Sequence, residues 1–187
     1  MRLLYLARHG DAENGHLSAR GRRQAELLAA RLADVPLSTV THSPLPRAAE
    51  TAAALPVPAV ASEIVGDYPP YLPAHTPATF TPLVEGWTPD ELRDGPKFAQ
   101  EALSRFAVPA PEETHELVVT HSFLVAWFVR AALGAPEDRW MGLNNCNAAL
   151  TVIRYTDERP PTLMLFNDMS HLPADLRWTG FPPHLRL

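Results

Sequence analysis

The chain opens on a short apolar run, Arg2 to Ala7, stopped by Gly10, which is the pattern of a buried strand. A helical period follows over Ala19 to Ala33, with Ser18 as N-cap and an apolar stripe at Ala25, Leu28, Ala29 and Leu32. Arg20, Arg22, Arg23 and Arg31 fall mostly off that stripe and read as a solvated face. Ser38 to His42 is a second short strand, and the early prolines of "HSPLPRAAETAAAL" mark a helix start. Val57 to Ala61 offers a third strand. From Ile64 to Thr88 the chain is Pro-rich and irregular, too long for an ordinary connection. "TPDE", Thr88 to Glu91, reads as a capping box with Pro89 at the first helical position. Gly95-Pro96 is expected to break or restart that helix before it reaches Phe106. "HELVVT", His115 to Thr120, is a strand, and the apolar helix Phe123 to Leu133 after it stops at Gly134. Asn147 to Tyr155 and Thr162 to Asn167 read as two strands joined by "TDERPP", with an irregular tail from Ser170.

This alternation of strand and helix predicts an α/β fold: a mainly parallel central sheet with helices on both faces and right-handed crossovers. The 187 residues suit a single domain, 1–187, with a short irregular insertion over about 63–97. A net charge of −5 lacks the basic footprint of a nucleic-acid binder. No apolar stretch approaches a membrane span, and the N-terminus enters a strand without a leader pattern, so the expected location is cytoplasmic. The single cysteine, Cys146, excludes an internal disulfide and a cysteine-based zinc site, and reads as a packed thiol. Nothing in the composition sets an oligomeric state.

Ligands of open α/β sheets bind beyond the carboxyl ends of the strands, so the residues that follow each strand carry the information. Arg8-His9-Gly10 follows the first. His42 and Ser43 follow the second, with Arg47 one turn into the next helix. His121 and Ser122 follow "HELVVT". Two imidazoles and two guanidinium groups thus gather at one edge. Arginine matches phosphate oxygens with a planar fork, and a neutral imidazole can attack phosphorus. Gly10 lets a carbonyl approach the His9 ring, and the N-terminus of the Phe123 helix offers free N–H groups to an anion. His42 and His115 read as packed or solvent-facing, and His16, His75, His171 and His184 as weak loop candidates. A metal site on His9 and His121 is disfavoured, because two arginines would repel a divalent cation and no third ligand is suitably spaced.

"LARHGDAE", "LSARGRRQAELLAARL", "SPLPRAAETA" and "LVVTHSFLVAWFV" together resemble the histidine phosphatase superfamily, the phosphoglycerate mutase-like proteins. The likeness runs from Leu3 to about Leu133, and "NAALTVIRY" with "NDMSHLP" fits the family's usual ending. It implies that His9 is a nucleophile that becomes phosphohistidine, and that Arg8, Arg47 and His121 hold the phosphoryl oxygens. It also implies a carboxylic proton donor from the segment after the third strand. There "SEIVGDYPPYLP" offers Asp67, the preferred candidate, and Glu63, with Glu85 and Glu91 further off. Two positions depart from the family pattern. Ser122 stands where many members have glycine, which keeps a backbone N–H for phosphate. Gly15 stands where many mutase-like members carry a phosphate-contacting asparagine, Asn14 being one place early.

Three functions remain open at this level. The first is a phosphomonoesterase that needs neither metal nor cofactor and acts on a phosphorylated small molecule or a phosphoprotein. The second is a phosphoglycerate mutase, which needs extra cations in its cap. Between Glu63 and Lys97 the only cations are Arg93 and Lys97, against Glu63, Asp67, Glu85, Asp90, Glu91 and Asp94. The third is a non-catalytic phosphate-binding module.

Overall fold

The computed structural model describes residues 1–76, 78, 81 and 85–181. Six strands form one sheet. In chain order they are β1 (Arg2–Arg8), β4 (Thr39–His42), β5 (Ala59–Ala61), β6 (Thr114–Thr120), β7 (Leu150–Tyr155) and β8 (Thr162–Asp168). A separate two-stranded hairpin, β2 (Ala12–Glu13) and β3 (His16–Leu17), leaves the end of β1. The sheet order is β5-β4-β6-β1-β7-β8. The first four strands are parallel, and β7 and β8 add an antiparallel edge. Helices α1 (Ala19–Arg31), α2 (Pro46–Ala52), α3 (Pro89–Phe106) and α4 (Ser122–Ala132) supply the outer layers.

Alternation along β1 divides the core in two. Leu4 and Leu6 point to one face, where they join Val118, Ile153, Trp127, Phe128 and Phe106 from β6, β7, α4 and α3. Ala7 points to the other, with Val40, Leu117, Val119, Leu28 and Ala48, so α1 and α2 cover that side. The expected α/β sheet with helices on both faces is what forms.

Most expected elements stand within a residue or two of their predicted ends, and three differ more. The strand read from Asn147 begins only at Leu150, because Asn147 and Ala148 bond to the end of β1 instead of to β8. The β2–β3 hairpin turns through Asn14 and Gly15, both at positive φ (51° and 84°), as a two-residue loop requires. Helix α3 runs unbroken through Gly95-Pro96, contrary to expectation. Pro96 lies on the solvent side, where water can serve the carbonyl it leaves unpaired, and Gly95 faces inward. A Cβ at Gly95 would stand 2.6 Å from the Pro69 carbonyl oxygen, so the pair permits close packing without breaking the helix. The capping box forms as expected: Glu91 N–H donates to Thr88 Oγ1 and Thr88 N–H to Glu91 Oε2.

Candidate active site

Strands β4, β6 and β1 are neighbours and end nearly level, since Arg8 lies opposite Thr120 and His42 opposite Val119. The ladder continues one residue past each end. His9 N–H donates to Thr120 O (2.9 Å), and Ser43 N–H donates to Val119 O (3.0 Å). The sheet thus delivers His9, Ser43 and His121 side by side. Arg47 reaches the same place from the first turn of α2.

His9 is 6% exposed and its Nδ1–H donates to the Gly10 carbonyl at 2.7 Å, which leaves the lone pair on Nε2. That atom accepts from Arg47 Nε–H at 3.2 Å. The Gly10 carbonyl can take this position because no side chain intervenes: a Cβ on Gly10 would stand 2.6 Å from Gly21 O. Gly10 N–H donates to Thr51 Oγ1, whose own proton goes to Arg47 O, so the His9 loop and the arginine share one anchor. Burial, then the His121 ring and the Arg8 charge, hold the His9 pKa down at about 2. The imidazole is therefore neutral throughout the physiological range.

His121 is 2% exposed, and its ring centroid lies 5.0 Å from that of His9. Burial and the charges of Arg47 and Arg8 hold it well below the ordinary histidine value. Its Nε2 is 2.8 Å from Ser43 Oγ, and its Nδ1 is 3.3 Å from Arg47 NH2. Ser43 can accept from Nε2 or donate to it. Nδ1 can accordingly present a lone pair to Arg47 or a proton to a phosphate oxygen.

Asp67 completes the cluster, with Oδ2 2.6 Å from Arg47 NH2 and 3.5 Å from His121 Nδ1. The short 3-10 turn Glu63–Val65 is pinned to the end of β6, where Thr120 Oγ1 donates to Val65 O at 2.7 Å, and Asp67 follows two residues later. Glu63 is exposed and lines the same cavity of about 280 Å³ as Asp67, with Tyr68 and Phe98. Glu85 is exposed, and Glu91 is engaged in the capping box.

Arg8 donates through NH1 to the Asn145 carbonyl at 2.9 Å, while its buried Nε has no hydrogen-bond partner. Ser122 is the first residue of α4, and its hydroxyl oxygen accepts from Asn145 Nδ2 at 3.3 Å. Its place at the helix start leaves the backbone N–H for an anion. The sequence reading assigned no role to Ser43, Thr51, Asn145 or Asn147. Ser43 could have been found by its place after β4. The asparagines are visible only once β7 pairs antiparallel with β1 and brings the segment before it to the same edge.

The other histidines lie elsewhere. His115 stacks on Tyr5, His16 pairs with Glu50, His42 bonds to the Ser43 carbonyl, and His171 bonds to the Ala148 carbonyl. His75 is exposed, and His184 lies outside the described residues. Cys146 is buried, and burial raises its thiol pKa, as suits a packed side chain.

Comparison with known proteins agrees with this geometry. A mitochondrial serine/threonine-protein phosphatase, Pgam5, from Caenorhabditis briggsae is 34% identical over 82% of this chain. The chain spans 59% of that relative's length. A phosphoserine phosphatase mutant from Entamoeba histolytica, solved with phosphoserine, superposes with a TM-score of 0.70 at 18% identity, over 92% of this chain and all of that one. A mycobacterial glucosyl-3-phosphoglycerate phosphatase superposes with a TM-score of 0.69 at 21% identity, over 89% of this chain and 99% of that one. The expected cytoplasmic location is corrected by the first comparison, since that relative and others like it are named as mitochondrial. The expectation rested on the lack of a membrane span and of a leader pattern, and such an absence carries no cellular address. Among the described residues no helix is long and apolar enough to cross a membrane. The family model for the histidine phosphatase superfamily (branch 1) matches residues 4–63 and 63–169, and the chain belongs to that superfamily.

Proposed function

We propose that this chain is a phosphomonoesterase working by two phosphoryl transfers through His9, without a metal ion. The observation that carries the proposal is the position of Arg47, whose one guanidinium group touches His9, His121 and Asp67 at once. A phosphate at that point meets a neutral nucleophile, fixed positive charge and a carboxyl group together. In the first step His9 Nε2 forms a bond to phosphorus while the bond to the ester oxygen breaks. Asp67 gives its proton to the departing alcohol. In the second step water attacks the phosphohistidine, Asp67 takes a proton from that water, and inorganic phosphate leaves as Nε2 recovers its lone pair. Arg8, Arg47, His121 and the Ser122 backbone N–H hold the phosphoryl oxygens. Their fixed charges and dipoles supply the stabilisation that a metal provides elsewhere.

A dianionic phosphate that engages Arg47 displaces Asp67 from its ion pair and leaves the carboxyl group beside the leaving oxygen. The segment of about 63–97 acts as the cap in this reading, within one domain over 1–187. Among the described residues five carboxylates line the cavity at Asp67 (Glu63, Asp67, Asp90, Glu91 and Asp94), and no arginine or lysine does. That lining disfavours the doubly phosphorylated intermediate of a mutase. The complete His9–Arg47–His121–Asp67 set disfavours a module that only binds. The names of the relatives support a phosphoserine- or phosphothreonine-type ester, free or in a protein, as substrate. With p-nitrophenyl phosphate, phosphoserine and 3-phosphoglycerate, free phosphate should appear at rates unchanged by EDTA. Activity that collapses on chelation, or isomerisation of phosphoglycerate that outruns phosphate release, would overturn the proposal.

A further inference from the structure

Strand β7 runs antiparallel to β1, with Leu150 opposite Ala7, so the segment leading into it passes the end of β1. That segment grips the nucleophile loop at several points. Asn147 Nδ2 donates to the His9 carbonyl (3.0 Å), and Ala148 N–H is shared between the carbonyls of Arg8 (3.0 Å) and His9 (3.2 Å). The Asn145 carbonyl accepts from Arg8 NH1, and Asn145 Nδ2 donates to the Ser122 carbonyl at 3.0 Å. Asn145 and Asn147 are 1% and 2% exposed. Each amide nitrogen is satisfied by a carbonyl, while Asn145 Oδ1 is buried without a hydrogen-bond partner.

Two further features mark the segment as built under constraint. Ala148 has φ +54°, in the left-handed region that a side chain rarely adopts, and such strain persists only where the surroundings enforce it. Gly180, at φ +89°, presses on the segment from the tail. A Cβ there would stand 2.4 Å from Arg8 NH1 and 2.6 Å from Asn147 Oδ1. The tail also bonds to the segment directly, through Asn147 N–H and Thr179 O.

We propose that Asn145 and Asn147 are positioning residues for phosphoryl transfer, Asn147 fixing the His9 backbone and Asn145 tying Arg8 to the N-terminus of α4. The two parts divide the work. His9 is bonded at its amide by Thr120, at its ring by Gly10 and at its carbonyl by Asn147, so loss of the Asn147 contact leaves that carbonyl only the longer bond of the shared Ala148 N–H and lets the nucleophile shift. Asn145 sets the distance between two anion-binding groups, the Arg8 guanidinium and the start of α4, and acts on phosphate affinity.

The inference rests on the phosphatase reading, and its test separates the two. Single-turnover phosphorylation by p-nitrophenyl phosphate and the inhibition constant of inorganic phosphate are measured on the full chain. Asn147→Ala should slow phosphorylation at saturation by up to about 10²-fold, the scale of a misplacement near 1 Å, with phosphate inhibition nearly unchanged. Asn145→Ala should raise the phosphate inhibition constant about tenfold and affect saturated phosphorylation less. Gly180→Ala is strained at φ +89° and meets Arg8 and Asn147, so it should lower Tm and also weaken both quantities at temperatures where the variant is fully folded, even if the asparagine variants fold poorly. Equal losses in both quantities that follow Tm in all three variants, or no loss in any, would overturn the positioning roles. A wild-type protein that forms no phosphoenzyme would overturn the phosphatase reading itself.

Discussion

Strand β1 carries an arginine at each end, Arg2 buried and Arg8 half-buried, and the two are treated differently. Arg2, at the amino end, lies 3.1 Å from Glu116, which also meets Arg105 at 3.4 Å, and its NH1 donates to the Arg105 carbonyl. Its charge is spent inside the protein. Arg8, at the carboxyl end, bonds to the neutral carbonyl of Asn145, and among the described residues no carboxylate lies within ion-pair distance of it. Burial lowers the pKa of both. Removing a cation from water is costly unless an anion compensates, so Arg8 holds a standing preference for an anionic ligand that Arg2 lacks. Residue type and position at a strand end therefore do not separate a structural arginine from a functional one. The partner does.

The largest effect should come from the carboxylate on the functional side. Asp67→Asn should slow single-turnover phosphorylation by an alkyl phosphate by about 10²–10⁴-fold, the usual worth of a general acid. The loss with p-nitrophenyl phosphate should be clearly smaller, because its phenolate leaves without needing a proton. Equal losses on the two esters would remove Asp67 from the proton-donor role and turn attention to Glu63. The arginines should then separate function from stability. Arg8→Gln should lower kcat/KM by about 10²–10³-fold, the scale of one lost charge-stabilising donor, with a small change in Tm. Arg2→Gln should leave kcat intact and cost roughly 3 kcal/mol of stability, the low end for breaking a buried pair, because Arg105 still faces Glu116. Similar profiles for the two variants would break the comparison.

A smaller effect concerns acid. His9 is neutral when folded, with a pKa near 2, and titrates near 6.5 when unfolded. Below pH 6.5 the unfolded state binds the proton that the folded state refuses. The stabilisation from a neutral His9 is therefore complete above pH 6.5 and is lost as pH falls towards 2. His121 acts in the same direction. Denaturant titrations between pH 6 and pH 4 should show stability falling with acid, and His9→Gln should reduce that slope by about 1.4 kcal/mol per pH unit. An unchanged slope would mean that His9 protonates freely in the fold.

Much of the site was legible in the sequence because it sits where strands end. Arg8 and His9 follow an apolar run, His121 follows another, and Arg47 opens a helix marked by its prolines. Local chemistry likewise revealed the Ser18 and Thr88 caps. What escaped depends on contacts between distant segments. Asp67 was singled out by the family resemblance and its place after the third strand, but the contact that brings it into reach, the hydrogen bond from Thr120 to Val65, was not legible. Asn145 and Asn147 matter only through the antiparallel pairing of β7 with β1. The Gly95-Pro96 break was misread because propensity sees a lost hydrogen bond, whereas the fold uses the missing side chain for contact with Pro69. The β2–β3 hairpin did carry a local signal in Asn14-Gly15, and its short polar strands hid it.

The central claim is that the lone pair on His9 Nε2 becomes a bond to phosphorus. The most direct measurement is a rapid, acid-free quench during turnover, followed by mapping of the phosphorylated peptide. The account predicts an acid-labile, base-stable phosphate on His9, formed at least as fast as product and absent from His9→Ala. An undiminished adduct in that variant, or a stable phosphate on any other residue, would contradict it.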